Sequence, residues 1–150
     1  MTPLRSETGL SRTEPIRRTS HPREGGNGAQ RRSGLDPDVL TWAQVRPIAL
    51  ERDGWRCVGC GSPGPLDCHH RSNKGMGGSR LLDHVANAIT ICGPGNAYGC
   101  HGFAHRYKNT HAAASGLSVP QGEDFRQWSV LYPDGGWYLL DDDGDRTRVA

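Results

Sequence analysis

Residues 67–78 read DCHHRSNKGMGG, two adjacent histidines followed by a basic loop rich in glycine. Neighbouring side chains on a strand point to opposite faces, so His69 and His70 cannot both lie in one core if this stretch is extended. The pair therefore predicts two separate tasks, one on each side of the backbone.

Four cysteines form two local pairs on either side of this stretch. Cys57 and Cys60 are separated by two residues, a spacing by which a tight turn presents two thiolates to one ion. Cys92 and Cys100 complete a four-thiolate set, and the glycine-rich insert GPGNAYG between them can close their wider gap. The prediction is a structural Zn²⁺ site. The alternatives are buried free cysteines, or Cys68 in place of one ligand.

The composition indicates a small core that needs such a site to hold it together. Of 150 residues, 34% are hydrophobic, and the chain contains 21 Gly and 10 Pro. Residues 1–20 contain no apolar run of the kind that opens an export signal, so paired cysteines suggest a metal rather than disulfides. No stretch approaches the roughly 18 apolar residues of a membrane span. We therefore expect a cytoplasmic protein without a membrane partner.

Charge and pattern divide the chain into three segments. Residues 1–34 carry seven Arg against three Glu, a net charge of +4, without apolar periodicity. They are predicted to be a disordered basic tail, either an arm for a polyanion or simply a solvated segment. Residues 35–120 are predicted to form the main domain. Residues 121–150 are predicted to add a C-terminal β-hairpin, with two apolar strands around PDGG.

The pattern of the main domain predicts an α+β fold. A helix begins near Asp36, and Pro47 is expected to kink or divide it. Residues 55–72 are predicted to form a strand, a tight turn and a second strand. The short apolar run NAITIC follows, and residues 100–117 are predicted to form one helix that ends at Gly116.

A second pair of histidines lies on that last helix. His101 and His105 are four residues apart, share one helical face and can bind one ion together. Histidine ligands with an open position are typical of a catalytic divalent metal rather than a structural one. A surface role would be the simpler interpretation of any one of these histidines alone, but their grouping around the cysteines favours the metal. The other three are expected at the surface: His21, His84 and His111.

Residues 55–117 resemble the HNH endonucleases, in particular the small HNH proteins of actinobacterial phages. The resemblance rests on the cysteine framework together with DCHHRSNKGMGGS and ANAITICGPGNAYGCHGFAHR, and it extends from about Trp42 to Gly144. It implies a small ββα-metal (His-Me finger) domain, in which a hairpin carries the first histidines and a helix carries the last. A structural zinc knuckle, an N-terminal helix and a C-terminal β-hairpin would accompany this finger.

The resemblance also implies a role for each matching residue. His69 would be a metal ligand and His70 the general base, while Asn87 would fix the loop that carries the base. His101 would be the second ligand. His105 would be the third ligand or, because its spacing departs from that of the closest relatives, a contact to the scissile phosphate, with His111 as a distant second candidate for its place. The implied catalytic ion is Mg²⁺ or Mn²⁺, with Ni²⁺ as a further candidate.

The implied activity is metal-dependent hydrolysis of DNA, by nicks or double-strand breaks, that leaves 5′-phosphate and 3′-hydroxyl ends. One alternative is a zinc-finger module that binds nucleic acid without cutting it, and another is an assembly factor that serves a phage terminase in DNA packaging. The adjacent histidines and Asn87 favour the enzyme. The glycine-rich loop could bind phosphate or be a plain flexible connection. Five basic residues are candidate phosphate contacts: Arg71, Lys74, Arg80, Arg106 and Lys108.

Overall fold

The computed structural model describes residues 40–75 and 80–150. The predicted basic tail, residues 1–34, and the middle of the glycine-rich loop, residues 76–79, lie outside the described residues. The described residues form a small α+β unit of helices and antiparallel strands. No helix among them is long and apolar enough to cross a membrane.

The first helix, α1, is Trp42–Arg52. The side-chain oxygen of Gln44 fixes its start, because it accepts hydrogen bonds from the backbone N–H and the hydroxyl of Thr41 at 2.8 and 2.7 Å. Pro47 lies inside α1, which continues on both sides, so Pro47 does not divide the helix, and the other expectation, a kink there, stays a prediction. Residues 36–39, where the sequence places the helix start, lie outside the described part of the chain.

The adjacent histidines lie on the first of two paired antiparallel strands. Strand β1, Leu66–His70, pairs with strand β2, Ala88–Cys92. The predicted earlier strand is wrong, since residues 55–65 are turns and irregular backbone. Backbone groups there serve a different purpose: the N–H of Val58 bonds the carbonyl of Thr90 at 2.8 Å and attaches the first cysteine turn to β2. The partner of β1 is therefore the later apolar run.

The predicted helix over residues 100–117 is two short helices instead. Helix α2 is Gly99–Arg106 and helix α3 is His111–Ala114. The carbonyl of Tyr107 accepts hydrogen bonds from the backbone N–H groups of Thr110 and Ala112 at 3.0 and 3.1 Å, and this turn separates the helices. Gly116 follows α3 with φ +74°, the left-handed conformation expected just beyond a helix end.

The C-terminal residues form a second sheet of three antiparallel strands. Its strands are β3, Val130–Leu131, β4, Trp137–Leu140, and β5, Arg146–Arg148, in that order. The predicted hairpin around PDGG is the β3–β4 pair. The third strand was not predicted, because its sequence RTR is fully exposed and carries no alternation of apolar and polar residues.

One core connects both sheets. Its buried residues include Ile89 and Ile91 of β2, Ala104 of α2, and Val130 and Leu140 of the C-terminal sheet. Residues 121–150 thus share the core of the preceding segment. A smaller apolar cluster lies between α1 and β1: Val45, Ala49, Cys68, Val85 and Ala88.

Candidate functional site

The four cysteines predicted to bind zinc lie together. The sulfur atoms of Cys57, Cys60, Cys92 and Cys100 are all within 4.8 Å of one another, and those of Cys60 and Cys92 are 3.6 Å apart. A tetrahedral ion with bonds of about 2.3 Å to sulfur would place its ligands roughly 3.8 Å apart. Cys68, the alternative ligand, is buried in the smaller apolar cluster instead. The four clustered cysteines could hold a structural metal such as zinc.

Charge in this cluster also fits a bound cation. Burial raises the pKa of the Cys57 thiol, and burial together with the negative charge of Cys57 raises the pKa of Cys100. At Cys92, burial is outweighed by hydrogen bonds from the backbone N–H of Cys100 and from neighbouring thiols, so its pKa is lowered. The thiolate forms of Cys57 and Cys100 are thus disfavoured here, and a divalent ion would supply the positive charge that stabilises them.

Two glycines allow the cysteine pairs to approach each other. Gly93 has φ +106°, and a Cβ atom there would lie 2.0 Å from the carbonyl oxygen of Tyr98. A Cβ atom at Gly59 would lie 2.9 Å from the sulfur of Cys100. Only glycine permits such close contact without moving the backbone. The glycine-rich insert closes the wide gap in this way.

Three of the predicted ligand histidines converge at β1 and α2. The ring centroids of His69, His101 and His105 are 4.9 to 5.1 Å apart, and one nitrogen of each lies within 4.8 Å of the others. His69 Nε2 and His101 Nδ1 are buried without a hydrogen-bond partner. Burying an unpaired ring nitrogen is costly, and a metal ion at His69 Nε2 would remove that cost there, whereas His101 Nδ1 lies 3.4 Å from Oδ2 of Asp67. The donor set thus fits a divalent ion.

Two histidines of this cluster, His69 and His105, are held in the neutral form that binds metal. Burial, then the positive charges that His101, His105 and His70 would carry, lower the pKa of His69 well below its usual range. Burial and His101 also lower the pKa of His105. A neutral imidazole has a lone pair for an ion, so neither residue must lose a proton before it binds one.

His70 is held in a different environment from its neighbour. Its ring stacks on Trp42 of α1, with centroids 3.6 Å apart and planes 18° apart. Its Nε2 lies 2.9 Å from Oδ1 of Asp83. Burial, aided by the charge of Lys74, lowers the pKa of His70 despite this carboxylate. Because Nε2 is engaged, Nδ1 is the nitrogen left to accept a proton.

Asp83 is a member of the site that the sequence analysis missed. It is 3% exposed and forms an ion pair with Lys74. Although burial opposes ionisation, hydrogen bonds from Lys74 and His70 keep the pKa of Asp83 below its usual range. Residues 81–84, LLDH, carry no sequence pattern that marks Asp83 as a functional residue. Only the short 3₁₀ turns around it, Arg80–Leu82 and Val85–Asn87, bring it beside β1.

Asn87 is buried and holds the loop that follows β1. Its side-chain oxygen accepts a hydrogen bond from the backbone N–H of Ser72 at 2.7 Å. Its amide donates to the carbonyls of Ser72 and Leu82 at 3.2 and 3.0 Å. Every polar atom of this side chain therefore serves the backbone, and Asn87 joins the segment after His70 to the segment before Asp83.

The three clustered histidines and His70 line one cavity of about 550 Å³. Two residues of α1 contribute to it, Trp42 and Arg46, which are four residues apart and lie on the same helical face. The sequence pattern gave neither Trp42 nor Arg46 a role in the site. Other polar side chains complete the lining: Asp67, Asn73, Lys74, Asn96 and Lys108.

The predicted phosphate contacts fall into two groups, apart from Arg71. Lys74 and Lys108 line the cavity, and Lys74 is also paired with Asp83. Arg80 and Arg106 are not among the described residues that line it. Lys108 is thus the predicted contact whose charge is both exposed and directed to the cavity region.

The prediction for Arg71 is wrong. Its side chain is 1% exposed and donates hydrogen bonds to backbone carbonyls, among them those of Gly116 at 2.8 Å and Trp128. Burial lowers the pKa of Arg71 to about 10. The guanidinium cannot reach a phosphate, because it ties the segment after α3 to the residues before β3.

Comparisons of this chain with protein-family models, with curated proteins and with solved structures found no match. The described residues nevertheless bring together two groups that could each hold a metal, one of four cysteines and one of three histidines. What the site can do is therefore inferred from its chemistry.

Proposed function

We propose that this protein is a metal-dependent endonuclease of the HNH type that hydrolyses DNA, with β1, β2 and α2 as a ββα-metal finger. One observation carries the proposal: His70, whose Nε2 is held by the buried carboxylate of Asp83, lines the same cavity as the three-histidine cluster. A module that only binds nucleic acid needs neither a second ion site nor a neutral imidazole held by a buried carboxylate. The four-cysteine cluster would hold the structural zinc of such a domain.

His69, His101 and His105 would hold the catalytic ion. The unpaired Nε2 of His69 and the neutral state of its ring support this assignment. Imidazole donors suit Ni²⁺ or Zn²⁺ better than Mg²⁺ or Mn²⁺, which prefer oxygen ligands. When bound, the ion supplies Lewis-acid polarisation of a phosphate and stabilises negative charge on the leaving oxygen.

His70 would act as the general base. Its Nδ1 takes a proton from the attacking water, and Asp83 stabilises the resulting imidazolium through Nε2–H. Stacking on Trp42 fixes the plane of the ring, so that Nδ1 has one direction in the cavity. Attack by water on phosphorus with departure of the 3′ oxygen gives 5′-phosphate and 3′-hydroxyl ends. Arg46 and Lys108 at the cavity are placed to bind the flanking phosphates.

A plasmid-nicking assay tests the proposal. Purified full-length protein is expected to convert supercoiled DNA to open-circular or linear forms when a divalent ion is present, and to stop when EDTA is added. Adding back Ni²⁺, Mn²⁺, Mg²⁺ or Zn²⁺ separately would rank the ions, with Ni²⁺ expected above Mg²⁺ from the imidazole donor set. Retained DNA binding with no cleavage under any ion would support the zinc-finger binding module instead.

Replacing Asp83 by asparagine is expected to slow cleavage. The amide cannot stabilise an imidazolium as a carboxylate does, so part of the general-base contribution of about 10²–10⁴-fold should be lost, on the order of 10–10²-fold. The rate at saturating metal measures this effect. Asp124→Asn is the matched control, since that carboxylate is 52% exposed on the C-terminal segment. An Asp83→Asn variant as fast as Asp124→Asn would remove Asp83 from the mechanism.

A further inference from the structure

We infer that Asp67 is a positioning residue for His101, one that selects the tautomer and orientation in which His101 presents Nε2 to an ion. This inference rests on the proposed function only in assigning the three-histidine cluster to a divalent ion. Asp67 itself has no role in the sequence-based assignment of the site.

Asp67 lies on the same face of β1 as the ligand histidine. It precedes His69 by two residues, and side chains two apart on a strand share a face. Its Oδ2 lies 3.4 Å from Nδ1 of His101, a nitrogen that is buried and makes no hydrogen bond in this structure, and this carboxylate is the acidic group paired with it. Asp67 is therefore the acceptor placed to receive a proton-bearing Nδ1.

The carboxylate of Asp67 is itself held in place. Its Oδ1 accepts a hydrogen bond from the backbone N–H of Cys68 at 2.8 Å. A guanidinium nitrogen of Arg46 lies 3.5 Å from the same oxygen. With Oδ1 occupied by β1 and α1, Oδ2 is left for the imidazole. The result is a chain of contacts from Arg46 through Asp67 to His101.

A carboxylate at Nδ1 decides what the other ring nitrogen can do. When Nδ1–H donates to Asp67, the lone pair of a neutral His101 lies on Nε2, where an ion can use it. Asp67 is not in the group whose ligand atoms lie within 4.8 Å of one another, so it orients a ligand instead of being one. Outer carboxylates of this type typically contribute about 10–100-fold to metal affinity.

The test is the affinity of the full-length, zinc-loaded protein for Co²⁺, followed by visible absorption. Asp67→Ala removes the acceptor and is expected to weaken Co²⁺ binding by about 10–100-fold. Asp67→Asn is expected to weaken Co²⁺ binding similarly. The side-chain oxygen of asparagine would keep the hydrogen bond from the Cys68 N–H, so its NH₂ group would face Nδ1 of His101. Because NH₂ is a donor, it disfavours the tautomer of His101 that carries its proton on Nδ1. In both variants the shape of the Co²⁺ bands, the zinc content and the melting temperature should stay those of wild type.

Two controls make the result specific. Asp124→Asn removes one negative charge from an exposed site and should leave Co²⁺ affinity unchanged. His101→Ala removes the ligand and should weaken binding more than either Asp67 variant. Should Asp67→Ala unfold because Cys68 loses its acceptor, Asp67→Asn keeps that hydrogen bond and decides the question.

A folded Asp67 variant that binds Co²⁺ as tightly as wild type overturns the inference. A change in band shape also overturns it, because that change would make Asp67 a ligand. The proposed function fails separately: a wild-type protein that binds Co²⁺ through His101 but does not cleave DNA would refute the nuclease and leave the role of Asp67 intact.

Discussion

Replacing His70 by alanine is expected to lower the rate of DNA cleavage by about 10²–10⁴-fold, the usual contribution of a general base. The fold should survive, because Asp83 keeps its ion pair with Lys74 and is not left as an unpaired buried charge. Metal binding at the three-histidine cluster should persist, since His70 is not a member of that group. Cleavage measured against metal concentration should show a lower maximum with an unchanged midpoint.

The neighbouring residue should behave differently. His69→Ala removes one of three ligands, so half-maximal cleavage should require a higher metal concentration, and excess Mn²⁺ or Ni²⁺ should restore part of the activity. His111→Ala is the matched control for both variants, because that histidine is exposed on α3 and does not line the cavity. If excess metal rescues His70→Ala but not His69→Ala, the two roles are exchanged.

The parts of the site that sequence could predict are those set by local spacing. Cys57 and Cys60 share one tight turn, and His101 and His105 share one helical face, so short-range geometry alone places each pair together. The closing of the wide gap between Cys92 and Cys100 was expected because the insert between them is rich in glycine, and Gly93 does adopt a conformation that other residues rarely take.

The parts that were missed depend on contacts between distant segments. Asp83 and His70 are 13 positions apart in the sequence, and no periodicity encodes their contact. Arg71 was assigned to phosphate because arginine is usually exposed, whereas here carbonyls from 45 to 58 residues further along the chain draw it inward. The strand that pairs with β1 was predicted within residues 55–65, which precede β1 directly. In the structure these residues form the cysteine turn, and the N–H of Val58 there bonds the carbonyl of Thr90 in β2. Asp67 alone had a usable signal, its position two residues before His69 on a strand.

The four-cysteine cluster supports more of the fold than its size suggests. It joins the irregular residues 55–65, the end of β2 and the start of α2, which few regular hydrogen bonds connect. Structural zinc in small finger domains contributes about 10–16 kcal/mol of apparent binding free energy at neutral pH. A domain of ordinary stability has only about 5–15 kcal/mol in total. Loss of the ion should therefore unfold this protein rather than merely loosen a loop.

Cys92→Ser is accordingly expected to lose its zinc and to show no cooperative thermal unfolding at ambient temperature. Cys92 is a suitable target because its sulfur lies 3.6 Å from that of Cys60 and accepts a hydrogen bond from the N–H of Cys100 at 3.5 Å. Zinc content and far-UV circular dichroism measure the outcome. Cys68→Ala is the matched control: it removes a cysteine from the smaller apolar cluster, so it should lower stability modestly and keep one zinc per chain. A Cys92→Ser protein that retains both its zinc and its melting temperature would refute the four-cysteine site, and the metal that stabilises this small core would have to bind elsewhere.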